Sequence, residues 1–209
     1  MTHQLFAMRK QCCLLVILLF GYAYVNAQTL QADSLQNLLK AHPQTDSIRV
    51  NLLIELAKEF RRPKPKQTDS LAELAFNMAT RLNYAKGKGN ALAIKAARYN
   101  ERSDYPSAYK AFNEAKQILV SVNDKKGLIY LLRMEANLYM NDGKHAQSLD
   151  NCFQVVKLAE EQGDIKNVVE AESFIGYLYN ILGEYQKAIL YQTDALKKAE
   201  SIGYKRGIS

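Results

Sequence analysis

The sequence is poor in the residues that build catalytic and metal centres. Of its three cysteines, Cys12 and Cys13 lie in an N-terminal apolar stretch, which leaves Cys152 alone in the remainder. One cysteine cannot close an internal disulfide, so packing alone must hold the fold. Beyond that stretch only His42 and His145 occur, and they are too far apart in sequence to pair at metal-ligand spacing. Both read as surface residues, and no metal site is expected. A Gly-rich cradle followed by Lys-Ser or Lys-Thr is missing, which excludes a phosphate-binding loop. No segment alternates apolar and polar residues with strand period, and Val and Ile fall at helical spacing, so the chain reads as all helical.

The apolar run itself, Cys12 to Val25, is 14 residues long, short of the ~20 that a membrane-spanning helix needs. Arg9 and Lys10 precede it, and Val25-Asn26-Ala27 offers small residues before Gln28. This is the pattern of a cleaved secretory signal over 1–27, with an uncleaved anchor as the alternative. Thr2 to Ala7 fit the pattern poorly, which makes Met8 a second candidate start. Cys12 and Cys13 open the run rather than follow it, so an acyl anchor is excluded. Export would place the mature chain in the periplasm or another extracytoplasmic space, where nucleic acid is not an expected partner. Cleavage removes Arg9 and Lys10 and no acidic residue, so the net charge of +7 becomes +5. Basic and acidic residues are otherwise interspersed, except in Arg61-Arg62-Pro63-Lys64-Pro65-Lys66. Such a run can bind phosphate or anionic lipid, but its two prolines favour a solvated loop.

What the sequence does have is a period of 40 residues. Lys86-Gly87, Lys126-Gly127 and Arg206-Gly207 recur at multiples of 40, with Lys166-Asn167 in the gap. Tyr99, Tyr139 and Tyr179 keep the spacing, as do Ala108, Ser148 and Ala188, then Ala115, Val155 and Ala195. Self-similarity at this length marks a repeat array in which each unit buries its apolar face against its neighbours. Asp33-Ser34 reads as the N-cap of a first helix carrying Leu35, Leu38 and Leu39 and ending before Pro43. Thr45-Asp46 starts a second, with Val50, Leu53, Ile54 and Ala57 on one face. After the Pro-rich loop, Leu71, Leu74, Ala75, Met78 and Leu82 form the next stripe. Each later unit is a first helix beginning near the Lys-Gly pair, a turn, and a second helix. Ser103-Asp104, Asp142-Gly143-Lys144 and Gly183-Glu184 mark the turns inside units, and the Lys-Gly pairs read as links between them.

The unit resembles the tetratricopeptide repeat in a 40-residue form. The clearest copy is Phe174-Ile175-Gly176-Tyr177-Leu178-Tyr179, then Gly183-Glu184-Tyr185-Gln186-Lys187-Ala188, then Ala195. The family pattern is a large apolar residue, a small one, an aromatic three residues on, and alanines nine and seven further. Ile175, Gly176, Tyr179, Ala188 and Ala195 fill it. Ala136, Tyr139, Ser148 and Val155 follow it with Glu135 at the apolar position, and Lys95, Ala96, Tyr99, Ala108 and Ala115 form another copy. The first copy, Leu56-Ala57 with Phe60, is one residue shorter across its turn. The small residue lets the paired helix approach, and the aromatic fills the wider gap one turn on.

The resemblance implies an α-α superhelix, a tetratricopeptide solenoid of about four helical hairpins plus an N-terminal helix. The divisions are the signal at 1–27, an N-terminal helix and linker at 28–45, and the solenoid at 46–209. Its units are about 46–85, 86–125, 126–165 and 166–205, with a fifth opening at 206–209. A finished solenoid ends in a polar capping helix; ending here instead suggests a fragment of a longer array, or a last face that needs a partner, including end-to-end self-association. A looser resemblance, carried by Asp46-Ser47-Ile48-Arg49 and Asp124-Lys125-Lys126-Gly127, is to periplasmic repeat regions preceding histidine kinase or LuxR-type regulator domains in Bacteroidota. It implies a sensor or scaffold role in signal transduction; a free periplasmic adaptor in envelope assembly is the alternative, and an enzyme a distant one.

No catalytic constellation or cofactor motif is present. Cys152 takes the repeat position of Phe112 and reads as a buried structural thiol. Glu160-Glu161 and Glu170 with Glu172 read as solvated helix faces. Tyr99, Tyr139 and Tyr179 are core by register. In this family the first helices line a concave groove, and that register selects Tyr130, Arg133, Asn137, Asn141, Tyr177 and Asn180, with Asn100, as candidate contacts. Asparagine suits an extended peptide, because its amide pairs with backbone donors and acceptors. Arg133 and Asn137 match part of a carboxylate clamp, but Ala93, Ala97, Ser173 and Tyr177 stand where the neighbouring helices would complete it.

Overall fold

A computed structural model describes residues 30–204. The signal segment at 1–27 and the opening of a fifth unit at 206–209 lie outside the described residues. Among the described residues the chain is helical, with no strand. Helix α1 covers 30–41. Eight more follow: α2 (Ser47–Phe60), α3 (Pro65–Arg81), α4 (Ala85–Glu101), α5 (Tyr105–Ser121), α6 (Lys125–Asn141), α7 (His145–Glu161), α8 (Ile165–Ile181) and α9 (Tyr185–Ser201). None of these is long and apolar enough to cross a membrane.

From α3 onward the helices stop where the chain turns left-handed. Asn83, Ser103, Asn123, Gly143, Gly163, Gly183 and Gly203 all have positive φ, one every 20 residues, half the sequence period. Glycine reaches this region freely, and asparagine tolerates it better than other side chains. Each such residue closes a helix so that the next amide can reach back, as Asp104 N does to Tyr99 O at 3.0 Å and Asp124 N to Leu119 O at 2.9 Å. Asp104 then starts the following helix, its side chain accepting from Ser107 N. Asp164 does the same for Asn167 N. Two consecutive residues thus end one helix and cap the next, which keeps the connections short.

Several expectations change in register. The Lys-Gly pairs do not link units; Lys86-Gly87 and Lys126-Gly127 lie inside α4 and α6. Their glycines are needed for packing: a Cβ on Gly127 would stand 2.9 Å from both Asn90 Oδ1 and Leu119 Cδ2. Gly176 faces the side chain of Gln192 instead, and Gln192 is exposed. Helix α1 includes residues before Asp33-Ser34, since Ala32 is buried against Leu56 and Phe60. Its C-terminal carbonyls are bound by Arg49 Nη1, which donates to Leu39 O at 2.9 Å and to His42 O at 2.6 Å. In α3 the buried positions are Thr68, Ala72, Ala75 and Ala79, while Leu74 and Leu82 are exposed. Small residues win that face because α2 and α3 pack closely. Pro65 and Lys66 belong to α3, where a proline at the first position loses no helical hydrogen bond.

The shorter first unit is accommodated in its turn. Ser148 Oγ donates to Ala136 O at 2.8 Å, 12 residues back. Thr68 Oγ1 makes the equivalent bond to Ala57 O at 3.4 Å, 11 residues back. Tyr99, Tyr139 and Tyr179 are half-buried rather than core. They pack near the hairpin turns, Tyr139 against Tyr109 and Tyr179 stacked on Tyr191. The core proper is Phe112, Leu119, Leu131, Leu138 and their neighbours, shared by successive hairpins.

Stacking direction decides the shape. First helices of successive units come into backbone contact, α2 with α4, α4 with α6 and α6 with α8, whereas among the described residues the second helices stand farther apart and meet through side chains, as Phe153 of α7 does with Tyr191 of α9, ring centres 6.2 Å apart. The first helices therefore form the inner, concave wall and the second helices splay outward. Polar links tie each unit to the next on that wall. Tyr84 donates its hydroxyl to Asn51 Oδ1 at 3.1 Å, and Asn90 Nδ2 to Asp124 Oδ2 at 2.7 Å. The large exposed apolar side chains gather on the last hairpin, among them Ile181, Tyr185, Ile189 and Leu190.

Candidate functional site

The concave wall holds a cavity of about 410 Å³ bounded by the ends of α2, α4 and α6. Arg61, Arg62 and Pro65 form one rim, and Ala97, Arg98, Asn100, Glu101, Met134, Asn137 and Asn141 form the floor and the other rim. A smaller space of about 170 Å³ adjoins it, sharing Arg61, Arg62, Met134 and Asn137 and reaching Arg133, Glu170 and Phe174. The α2–α3 turn thus reaches over the groove instead of standing off in solvent. Its backbone continues helically through Arg61, and Lys64 N bonds to Phe60 O at 2.9 Å. With the one-residue deletion, Arg61 and Arg62 fall at the repeat positions of Asn100 and Glu101. Reading the first unit at a spacing of 39 would have found them.

Electrostatics inside the groove are uneven. Arg98 donates to Asp69 at 2.8 Å and pairs with Glu101, and these partners, Asp69 first, raise its already high pKa. Arg61 pairs with the same Glu101. Arg133 pairs with Glu170 and donates to Asn167 Oδ1 at 2.8 Å. Arg62 is exposed, and no ion pair or hydrogen bond links its side chain to another described residue.

The predicted contacts divide into four groups. Asn137 and Asn141 line the larger cavity together with Asn100. Asn141 Nδ2 donates to Asn100 Oδ1 at 3.1 Å, and Asn137 Nδ2 to Arg133 O at 2.8 Å. Arg133 borders the smaller space but is committed to α8 through Glu170 and Asn167, so it ties units together. Tyr130 lies under Lys58, whose Nζ is 4.9 Å from the ring centre. Its ring edge is partly exposed, but its hydroxyl is buried without a partner, and burial pushes its pKa up to about 12. That hydroxyl is not open to a ligand. Tyr177 is exposed and stacked on Phe174, and Asn180 is exposed at the end of α8; neither lines the cavities.

The carboxylates expected to be solvated include two that are not. Glu172 is buried and bound to Lys198, and Glu170 is half-buried against Arg133. Glu135, at an apolar repeat position, is buried and satisfied by Lys116 at 2.5 Å and Asn151 at 2.9 Å. A buried carboxylate persists only when paired this way. Cys152 is buried, and desolvation raises its thiol to about 12, far from nucleophilic. His42 bonds to Asp46 at 2.9 Å. Among the described residues no group of three His, Cys, Asp or Glu is placed to hold a metal ion.

No protein-family model matches the chain. Among curated proteins it is similar to tetratricopeptide repeat protein 29 of Trypanosoma brucei brucei (strain 927/4 GUTat10.1), 21% identical over 145 residues, covering 68% of this chain and 29% of that protein. Among solved structures it is similar to a Rap protein complexed with competence and sporulation factor, with a TM-score of 0.74 and 14% identity over 84% of this chain and 50% of that one. It is also similar to a signal transduction ATPase with numerous domains from Pyrococcus horikoshii, a protein with a tetratricopeptide repeat sensor, with a TM-score of 0.57 and 18% identity over 83% of this chain and 30% of that one. The chain therefore spans half or less of each of these relatives. The likeness is one of fold: the described residues form a tetratricopeptide-type superhelix.

Proposed function

We propose that the chain is a non-catalytic binding module whose concave groove holds an extended protein or peptide segment. The observation that carries this reading is the asparagine-lined cavity between the α2–α3 turn and the ends of α4 and α6. Asn100 keeps its Nδ2, and Asn137 and Asn141 their Oδ1, to pair with a peptide backbone, and Met134 and Ala97 offer apolar contact beside them. Recognition surfaces favour Arg and Met over Lys and Glu. The wider role we assign is the extracytoplasmic sensor or scaffold portion of a bacterial signalling protein. The signal-like segment at 1–27 supports export. The Asp-Ser-Ile-Arg and Asp-Lys-Lys-Gly sequences, and a structural relative that carries such repeats as a sensor, support signalling. A free periplasmic adaptor would use the same groove.

The test is a selection of random linear peptides on the purified protein, followed by affinity measurements on Asn137→Ala. Asn137 suits the purpose because its one side-chain bond is to a carbonyl of its own helix. Replacing Arg133 would also break its links to α8. Selected peptides whose binding drops in Asn137→Ala, with thermal stability unchanged, support the groove. Peptides that bind the variant as well as the parent place the working surface elsewhere.

A further inference from the structure

We infer that the groove is built for an acidic segment, an extended peptide that seats a carboxylate between Arg62 and the Asn100–Asn141 pair. This rests on the groove reading above and adds the chemistry of the partner. The charge ledger of the cavity is the first observation. Arg61, Arg62 and Arg98 line it against a single lining carboxylate, Glu101, to which both Arg61 and Arg98 are already paired. Asp69 takes a further share of Arg98. No described carboxylate pairs with Arg62. The adjoining space repeats the pattern, since Arg133 is matched by Glu170 while Arg61 and Arg62 border it too. Both spaces therefore carry a surplus of positive charge, and the surplus sits on a side chain that is free to move.

The second observation is independent of charge. Asn100 is only 6% exposed, yet it spends its Oδ1 on Asn141 and leaves its Nδ2 without a partner among the described residues. Two amides joined by one hydrogen bond always leave one NH2 and one carbonyl unused, whichever way each is turned. The Nδ2 itself is not sealed from solvent, so it opens onto the groove, where an acceptor can take the place of water. An acceptor that is also an anion gains from Arg62 as well, and charge-assisted bonds are the stronger kind.

The remaining groups select a peptide carboxylate over other anions. Asn137 Oδ1, Asn141 Oδ1 and Glu101 all present acceptors beside the same cavity. A bare phosphate group, which presents acceptors on every side, meets repulsion there. A peptide brings backbone N–H groups for those acceptors and one carboxylate for the donors.

Short labelled peptides alternating Ala with Glu, Gln or Lys test this by fluorescence anisotropy on the whole chain. The Glu peptide is expected to bind about tenfold or more tightly than the Gln peptide, with affinity falling as salt rises. Arg62→Glu is expected to abolish that preference and Arg62→Lys to keep most of it, both with the parent circular dichroism spectrum. Equal binding of Glu and Gln peptides, unaffected by Arg62→Glu but lost in Asn137→Ala, overturns the acidic partner and leaves the groove standing. If no peptide binds, both readings fall. Vesicles containing phosphatidylglycerol serve as the last arm. Capture by them in preference to the Glu peptide, lost in Arg62→Glu, overturns the inference in favour of a lipid surface.

Discussion

Asn100 and Asn141 are joined by a side-chain hydrogen bond of 3.1 Å that crosses from α4 to α6 on the groove floor. The two residues are 41 apart, one more than the repeat, so the bond links the ends of successive first helices and not equivalent positions. It fixes the spacing of the inner wall at the cavity. Around this contact the other polar groups either satisfy one another or are left facing the groove, and that division determines what mutations will do.

Tyr130→Phe is expected to leave stability unchanged or raise it, by up to about 1 kcal/mol. The phenol oxygen is buried with no partner, and an unsatisfied buried hydroxyl costs roughly 1–3 kcal/mol relative to a paired one. The ring packing is retained in Phe. A clear loss of stability in urea unfolding would show that the hydroxyl is paired in solution.

Gly127→Ala is expected to cost about 1–3 kcal/mol, the usual range for overfilling a packed site. The new methyl would press on Asn90 and Leu119 and disturb the buried Asn90–Asp124 bond. Gly143→Asn is expected to cost less than about 1 kcal/mol, because open space surrounds that residue and asparagine tolerates positive φ. Asn83 and Asn123 already hold equivalent turns at φ 51° and 50°. Urea midpoints in the opposite order would contradict the packing of α4 on α6.

Alkaline pH is expected to destabilise the fold through Cys152 and Tyr130. Burial raises both groups to about 12, from ordinary values of 9.0 for the thiol and 10.0 for the phenol. The folded chain therefore holds these protons where the unfolded chain has lost them. Their contribution is complete below the ordinary values and is lost as pH climbs toward 12, each group removing about 1.4 kcal/mol per pH unit across its window. In Cys152→Ala the decline should begin about one unit higher, near the phenol's ordinary value. Unfolding free energies measured from pH 8 upward, at roughly half-unit steps, decide the matter; an unchanged onset would mean that the thiol is not buried.

The apolar face of the last hairpin is expected to drive self-association. Tyr185 and Ile189 hold the repeat positions of Tyr105 and Tyr109, which reach onto the next hairpin at Asn141 and Asp142. In α9 the same positions are exposed. Ile189→Lys is expected to lower the concentration dependence of the sedimentation coefficient. No change in the variant would show that this face does not bring copies together.

The sequence alone determined the architecture, because helix period and repeat period are local properties of the chain. The recurrence of small residues such as Ala96, Ala136 and Gly176, and of turn residues every 20 positions, admits one way to stack hairpins. It also made Cys152 inert, since its position repeats that of the buried Phe112. Tertiary structure decided the rest, because exposure depends on what a neighbouring unit brings. Tyr130 reads as a groove residue by register, yet Lys58 from two first helices away covers it. Arg61 and Arg62 read as a solvated loop, yet a single missing residue in their turn lays them over the groove. Glu135 and Glu172 read as misplaced or solvated charges, and cross-helix lysines made them part of the interior. Periodicity specifies which face a residue occupies; only the curvature of the stack specifies what that face meets.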